Sequence, residues 1–243
     1  NLNLYSSLNS VSPLSRWIPT GCPSLDRALE GGLPPGGLTL LYGEAETGKT
    51  SLAMQCAVNS AQMGYKTLFV DCDGVFSPER LAQIASHDFE RVSEAIIIVK
   101  PLTFDEQAAV VNNLDKYVSK GFGLIVFDTI TSLYRSELRD KEEVFRLNRE
   151  LNRQVATLAQ LAKTLDISVL LNSQVRSVIE FGEFSTEPVA TRVLKFWSTA
   201  VVNLTRISQR NIIKATVEKS GRKEKRLTFY LIIEKDGMHD YNQ

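Results

Sequence analysis

Residues 43–50 combine two glycines with a lysine and two threonines, and they read Gly43-Glu44-Ala45-Glu46-Thr47-Gly48-Lys49-Thr50. This stretch fits the pattern G-x-x-x-x-G-K-[ST] in full. Its glycines let the backbone turn so that successive N–H groups point at phosphate oxygens. Lys49 would then reach the β- and γ-phosphates of a nucleotide, and the Thr50 hydroxyl would ligate Mg²⁺. A helix that starts near Gly48 would add the positive end of its dipole.

The neighbouring sequence supports this interpretation. A short apolar run with strand character, Leu38–Tyr42, precedes the stretch, and helix-forming residues, Ser51–Ala57, follow it. Strand, loop and helix are the order that a phosphate-binding loop requires, whereas a chance match would lack this context. The sequence therefore predicts a nucleotide site whose binding residues include the whole of 43–50 and Ser51.

Length and composition indicate one globular domain. The chain has 243 residues, of which 43% are hydrophobic, enough to bury a sizeable core. Lys plus Arg equals Asp plus Glu at 28 each, so any site for a polyanion must be local. Three cysteines without a C-x-x-C pair are typical of reduced thiols. No signal-peptide pattern and no apolar run near the ~18 residues of a membrane span is present, so we expect a soluble, cytoplasmic protein without a membrane partner.

The order of the predicted elements indicates an α/β fold with a mostly parallel central sheet flanked by helices. Apolar runs of strand length alternate with helical segments, and after residue 200 the period changes to two, as in antiparallel strands. The predicted strands are 38–42, 66–73, 95–99, 123–128, 167–172, 201–204, 212–217 and 227–233, and the longer predicted helices are 79–85, 104–120 and 142–163. We expect a flexible arm at residues 1–15, one core domain at 16–243 and a mobile loop at 175–188.

Polar side chains follow three of the predicted strands, at what would be the carboxyl edge of a parallel sheet. Asp71 and Asp73 end one of these strands, and Asp128 ends another. A buried strand that closes on an acid can deliver a carboxylate oxygen to Mg²⁺ beside a phosphate loop, so we predict this role for Asp128. An Asp that only caps the next turn is the alternative. Asn172–Gln174 predict a further part of the site, or else a simple turn.

The order of these motifs resembles the RecA/RadA recombinase superfamily, and within it the archaeal RadB group of core-only RadA paralogues. The motifs that carry the resemblance, besides the phosphate loop and the Asp128 strand, are Thr20-Gly21-x-x-Ser24-Leu25-Asp26, Asp71-x-Asp73-Gly74-x-Phe76-x-Pro78-Glu79-Arg80-Leu81 and Asn172-Ser173-Gln174-Val175. The matching features extend from about Ile18 to the C-terminus. The resemblance implies a RecA-like P-loop ATPase core that binds ATP and Mg²⁺.

The resemblance also implies roles for individual residues. Asp73 stands where RadA-like recombinases place the carboxylate that activates the attacking water. Lys49 matches the phosphate-loop lysine, and Gln174 matches the γ-phosphate sensor that leads into the DNA-binding loop. Arg80 matches the arginine that stacks on adenine. Because the family usually has Glu at the position of Asp73, we expect hydrolysis to be slow.

The implied function is that of an ATP-binding, weakly hydrolysing accessory protein in homologous recombination and DNA repair, located with the nucleoid. Its partners would be single-stranded DNA and a recombinase, and the oligomeric state stays open. Ala190-Thr191 and Phe196, where the family has Gly-Gly and His, weaken the expectation of filament-type allostery. A KaiC-like signalling ATPase without a nucleic-acid role is the alternative. The residues predicted to contact DNA flank the 175–188 loop or lie in a basic hairpin, and they are Arg176, Arg192, Lys195, Arg222 and Lys223. A solvated hairpin tip is the other interpretation of the last two.

Overall fold

The computed structural model of the chain shows a mixed α/β fold built on one large sheet. It describes residues 17–138, 141–180, 183–188, 190–207, 211–221 and 223–241. The arm predicted for residues 1–15 lies outside these ranges, as does Arg222. No helix within them is both long enough and apolar enough to cross a bilayer.

The strands and helices of the described residues follow in chain order. The strands are β1 (Leu38–Gly43), β2 (Lys66–Asp71), β3 (Ile96–Val99), β4 (Phe122–Asp128), β5 (Ser168–Ser173), β6 (Val175–Glu180), β7 (Glu183–Pro188), β8 (Ala200–Arg206), β9 (Ile212–Ser220), β10 (Lys223–Glu234) and β11 (Gly237–Asp240). The helices are α1 (Pro23–Ala28), α2 (Lys49–Gln62), α3 (Pro78–Ala85), α4 (Phe89–Ala95), α5 (Phe104–Asn112), α6 (Leu114–Tyr117), α7 (Ser132–Ser136), α8 (Lys141–Leu165) and α9 (Thr191–Trp197). Each predicted strand is present with slightly shifted bounds.

The sheet topology confirms the expected fold class. Among the described residues, nine strands pair in the order β11–β10–β9–β8–β1–β5–β4–β2–β3. The strands from β8 to β3 run parallel, whereas β9, β10 and β11 are added antiparallel. Since β5 lies between β1 and β4, the phosphate loop, the polar end of β5 and Asp128 come together at one edge of the sheet.

Helices cover both faces of the sheet. On β4, Leu124 and Val126 belong to the core on one face, and Ile125 and Phe127 belong to the core on the other. All four side chains are fully buried. The period of two along the strand separates the faces, so a strand buried on both sides has to be apolar throughout. α2 and α3 pack on the first face, and α5 and α8 pack on the second.

Two predictions about local structure are wrong. The helix predicted for residues 104–120 is divided into α5 and α6, because Asn113 leaves the helical conformation (φ −111°, ψ 8°). Its side chain donates to the carbonyl of Ala109, a local hydrogen bond that competes with helix geometry. Residues 175–188, predicted as a loop, contain β6 and β7, which pair antiparallel as a separate sheet. Two strands that pair only with each other do not require one apolar face, so the sequence lacks a clear period.

Candidate nucleotide-binding site

The loop between β1 and α2 has the backbone shape that its glycines predict. Gly48 has φ +84°, in the left-handed region, and α2 begins at the next residue. A Cβ atom at Gly48 would lie 2.4 Å from Met238 Cε, and one at Gly43 would lie 2.2 Å from the carbonyl oxygen of Leu204. The nearby backbone therefore excludes a side chain at Gly43, and the left-handed backbone conformation disfavours one at Gly48, where the neighbouring Met238 side chain could move.

Lys49 is buried with its ammonium group inside the curve of the loop. The residue is 8% exposed, and Nζ donates to the carbonyl oxygens of Gly43 (2.9 Å) and Glu44 (2.6 Å). Burial lowers the pKa of Lys49, and the negative charges of Asp128 and Asp73 oppose that shift. Lys49 also lines the cavity at the mouth of the loop. An ammonium group in this position is a ready partner for phosphate oxygens.

Asp128 lies at the end of β4 and is buried beside the loop. Its Oδ1 accepts a hydrogen bond from Asn172 Nδ2 (2.8 Å), and its Oδ2 is buried without a hydrogen-bond partner among the described residues. Burial raises the pKa of Asp128, and the neighbouring Thr50 and Asn172 side chains oppose this shift. A buried carboxylate oxygen without a partner is unfavourable unless a cation binds it, and Mg²⁺ prefers such oxygens. Asp128 and Thr50 therefore fit a Mg²⁺ ion, whereas a turn-capping role for Asp128 would direct its side chain to the turn instead of to β5.

Asp71 and Asp73 have different surroundings, although they follow each other closely at the end of β2. The carboxylate of Asp71 is fully buried and accepts hydrogen bonds from the backbone N–H groups of Val75 (3.0 Å) and Phe76 (3.1 Å). Lys100 Nζ lies 3.5 Å from its Oδ2. Asp71 thus holds the turn that carries Asp73, and Asp73 itself is half-buried and lines the cavity. Of these two acids, Asp73 is the one placed to act on a bound molecule.

The cavity beside the loop brings the predicted site residues together from four parts of the chain. Its volume is about 620 Å³, within the range of pockets for small molecules. Asp73, Asp128 and Gln174 line it. The residues of the phosphate loop that line it are Gly43, Glu44, Ala45, Glu46, Gly48, Lys49, Thr50 and Ser51. Thr47 is buried behind them, where its hydroxyl donates to the Glu44 carbonyl at 2.9 Å, and so it shapes the loop.

Arg80 lies at the rim of this region and holds the end of β10. Its Nε donates to Ser51 Oγ (3.2 Å), and its terminal nitrogens donate to the carbonyls of Glu234 (3.0 Å) and Lys235 (2.6 Å). These hydrogen bonds lie in the plane of the guanidinium group, so they are compatible with stacking of a base on its face. The adenine contact of Arg80 stays a prediction.

Gln174 follows β5 and meets a residue that the sequence did not single out. Arg135, in the last turn of α7, donates from a terminal nitrogen to Gln174 Oε1. Arg206 is a second such residue, because it pairs with Glu46 of the phosphate loop at 2.7 Å. No motif marks either arginine. Their spatial neighbours could be found only once the strand order was known.

The residues predicted to contact DNA belong to different elements of the described structure. Arg192 is exposed on α9, and Lys223 is exposed at the first position of β10. Arg176 belongs to β6, and Arg222 lies outside the described residues. Their contacts with DNA stay predictions.

Lys195 has partners within the chain, although 37% of its side chain is exposed. Its Nζ lies 2.8 Å from Glu218 Oε2 and 5.4 Å from the centre of the Tyr42 ring. It lines a groove of about 760 Å³ on the antiparallel part of the sheet, together with the basic residues Lys214, Lys219 and Arg226. A phosphate group at Lys195 would have to compete with Glu218.

Comparison with known proteins identifies the family. The family model described as Rad51 matches residues 15–241. The DNA repair and recombination protein RadB of Thermococcus onnurineus (strain NA1) is 37% identical over 227 residues, which cover 92% of this chain and 97% of that protein. RadB of Methanococcoides burtonii is 35% identical over 185 residues, which cover 76% of this chain and 81% of that protein. A crystal structure described as that of the RadB recombinase matches with a TM-score of 0.80 and 34% identity over 93% of this chain and 100% of that chain. The chain therefore belongs to the Rad51 family, and among its members it resembles the RadB proteins.

Proposed function

We propose that the chain is a Mg²⁺·ATP-binding accessory protein of homologous recombination and DNA repair that hydrolyses ATP slowly. One observation carries this proposal: the buried Lys49 ammonium and the unpartnered Oδ2 of Asp128 lie at the same cavity. A buried cation and a buried anion, each beside the mouth of a phosphate-type loop, are complementary to a nucleotide that arrives with its metal ion.

Different residues of the cavity bind different parts of the nucleotide and its metal ion. Lys49 and the backbone N–H groups of residues 44–50 bind phosphate oxygens. Thr50 and Asp128 hold Mg²⁺, which offsets the charge of the β- and γ-phosphates when it is bound. Gln174 faces the position of the terminal phosphate, and Arg80 meets the base. We infer the preference for ATP over other nucleotides from the family resemblance.

Slow turnover follows from the side chain at position 73. Asp73 is the carboxylate at the cavity that is placed to orient the attacking water, and it is one methylene shorter than the Glu that the family usually has. A base held too far from water transfers its proton poorly, because general-base catalysis requires hydrogen-bond contact. Slow hydrolysis suits a switch that holds ATP and releases a partner slowly.

The nucleic-acid and protein partners follow from the relatives. RadB is named for DNA repair and recombination, so we infer that single-stranded DNA and a RecA-type recombinase are the partners of this chain and that it works at the nucleoid inside the cell. Arg192 and Lys223 are exposed, as contacts with DNA phosphates require. Arg176 and Arg222 are the other candidates, and Lys195 ranks behind them because of Glu218.

The experiment that tests this function measures two kinds of binding side by side. One is binding to labelled single-stranded DNA with ATP·Mg²⁺, with ADP·Mg²⁺ and without nucleotide. The other is retention of a purified RecA-type recombinase on the immobilised protein under the same conditions. We expect at least one of the two to occur and to depend on the nucleotide. A protein that binds ATP but neither partner would instead fit the KaiC-like signalling ATPase, which no finding here favours.

A further inference from the structure

The short helix α7 lies between the two side chains on which hydrolysis depends. At its first residue, Ser132 Oγ donates to the carbonyl of Cys72 (3.4 Å), which precedes Asp73. In its last turn, Arg135 donates to the side-chain oxygen of Gln174. One helix thus contacts the turn that carries Asp73 and also contacts Gln174.

The segment that leads into α7 is also attached to the end of β5. The N–H of Ile130 donates to the carbonyl of Asn172 (3.0 Å), and the hydroxyl groups of Thr131 and Ser173 lie 3.3 Å apart in a buried position. These contacts hold the backbone that precedes Gln174. They leave the orientation of the Gln174 amide to a separate contact, and Arg135 makes that contact.

The chemistry of the two side chains decides which way the amide faces. A guanidinium group only donates hydrogen bonds, so its partner on Gln174 must be Oε1. The amide NH₂ group is then directed away from α7. If the amide were turned over, Oε1 would meet the phosphate oxygens and repel them, and the NH₂ group would meet Arg135 without an acceptor. The direction of the amide therefore matters for binding of an anion.

We propose that Arg135 is a positioning residue that holds the Gln174 amide with its NH₂ group toward the nucleotide cavity, where it donates to the terminal phosphate. The inference rests on the proposed function, since it assigns the recognition of ATP over ADP at the same site. Arg135 does not touch the nucleotide. Arg135 also makes the contacts of α7 depend on which nucleotide is bound. When the terminal phosphate is lost, the Gln174 NH₂ group loses its partner, and Arg135 remains the neighbour of the Gln174 side chain.

The consequence is a change in nucleotide preference without a loss of nucleotide binding. In Arg135→Gln the new side chain can accept as well as donate, so it no longer fixes which way the Gln174 amide faces. The preference for ATP over ADP should fall by about three- to tenfold, the range of one net hydrogen bond. Affinity for ADP·Mg²⁺ should not change, because ADP lacks the phosphate concerned. Arg135→Lys keeps a group that only donates hydrogen bonds and should retain part of the preference. If the role of Arg135 were purely structural, its substitution would weaken the binding of ATP and of ADP to the same extent.

The test is equilibrium competition between ADP·Mg²⁺ and a non-hydrolysable ATP analogue for the parent, for Arg135→Gln, for Gln174→Ala and for the double variant. Arg149→Gln is the matched control, since Arg149 is exposed on α8 and does not line the cavity. Thermal unfolding without nucleotide checks that each variant is folded. We expect the double variant to be no worse than Gln174→Ala alone, because Arg135 acts through Gln174.

Two results would overturn the inference and are distinct from failure of the proposed function. An unchanged preference for ATP in folded Arg135→Gln, or effects of the two substitutions that simply add, would show that Arg135 does not act through Gln174. A parent protein that binds neither nucleotide would instead overturn the proposed function, and this inference with it.

Discussion

The length of the side chain at position 73 sets the turnover rate in this account, and Asp73→Glu is the change that tests it. The backbone that carries Asp73 is held on both sides. The N–H groups of Cys72 (2.8 Å) and Asp73 (3.2 Å) donate to the Asp128 carbonyl, and the Asp71 carboxylate binds the N–H groups of residues 75 and 76. The turn therefore cannot move toward the nucleotide without breaking these hydrogen bonds. We therefore expect that the backbone does not move to make up for the shorter side chain.

The expected magnitude follows from the distance that the shorter side chain forfeits. A general base must lie within about 2.6–3.2 Å of the water that it polarises. Removing one carbon withdraws the carboxylate by roughly one C–C bond, ~1.5 Å. Since positioned acid–base catalysis contributes on the order of 10²–10⁴-fold, Asp73→Glu should raise kcat at least several-fold with little change in ATP affinity. Steady-state phosphate release with ATP·Mg²⁺ measures kcat, and a binding titration measures affinity.

Two control variants are needed: a different substitution at position 73, and an Asp→Glu substitution at a position outside the cavity. Asp73→Asn removes the base and should lower kcat. Asp105→Glu adds a methylene to an exposed carboxylate on α5, outside the cavity, and should leave kcat unchanged. If Asp73→Glu and Asp73→Asn both hydrolyse ATP at the parent rate, Asp73 is not the catalytic carboxylate and the reasoning fails.

Two further substitutions probe the metal site and the DNA contacts. Asp128→Asn removes a buried charge and should raise the unfolding temperature of the metal-free protein by at least about 2 °C, the shift that 1 kcal/mol produces in a domain of this size. Mg²⁺-dependent ATP binding should be lost in the same variant. A lower unfolding temperature would argue against a buried Oδ2 atom without a partner. Arg176→Ala/Arg192→Ala should flatten the slope of log affinity for single-stranded DNA against log salt by roughly 1.4, because two phosphate contacts are removed. Arg222→Ala/Lys223→Ala should do the same if the hairpin binds DNA, and an unchanged slope for either pair would exclude that pair from the interface.

The sequence predicts the fold well at positions where the local structure allows only one type of residue. The phosphate loop required glycine at positions 43 and 48, and the structure explains the first by close approach of the Leu204 backbone and the second by its left-handed conformation. The helix predicted for residues 142–163 is α8, and its apolar residues Leu147, Leu151, Val155 and Leu158, at spacings of three and four, are fully buried. The position of Asp128 beside the loop could be predicted because a buried strand that ends in an acid delivers its carboxylate to the edge of the sheet where the phosphate loop lies.

The remaining features depend on contacts between distant parts of the chain. Asp71 and Asp73 look alike in the sequence, and only the hydrogen bonds of the turn between residues 72 and 76 separate the structural acid from the one at the cavity. Arg135 is 39 residues from Gln174, and no spacing rule joins them. β6 and β7 pair with each other as a separate sheet, and their sequence has no clear period of two, so the pattern that identifies strands is missing there.

The measurement that tests the central claim most directly is binding of ATP·Mg²⁺ to the parent protein and to Lys49→Ala, with thermal unfolding as the check of folding. Lys49 is the buried cation of the loop, so its removal takes away the charged hydrogen bonds to the phosphates. The account predicts Mg²⁺-dependent binding by the parent and no detectable binding by folded Lys49→Ala. A folded Lys49→Ala protein that binds ATP with the affinity of the parent would contradict it.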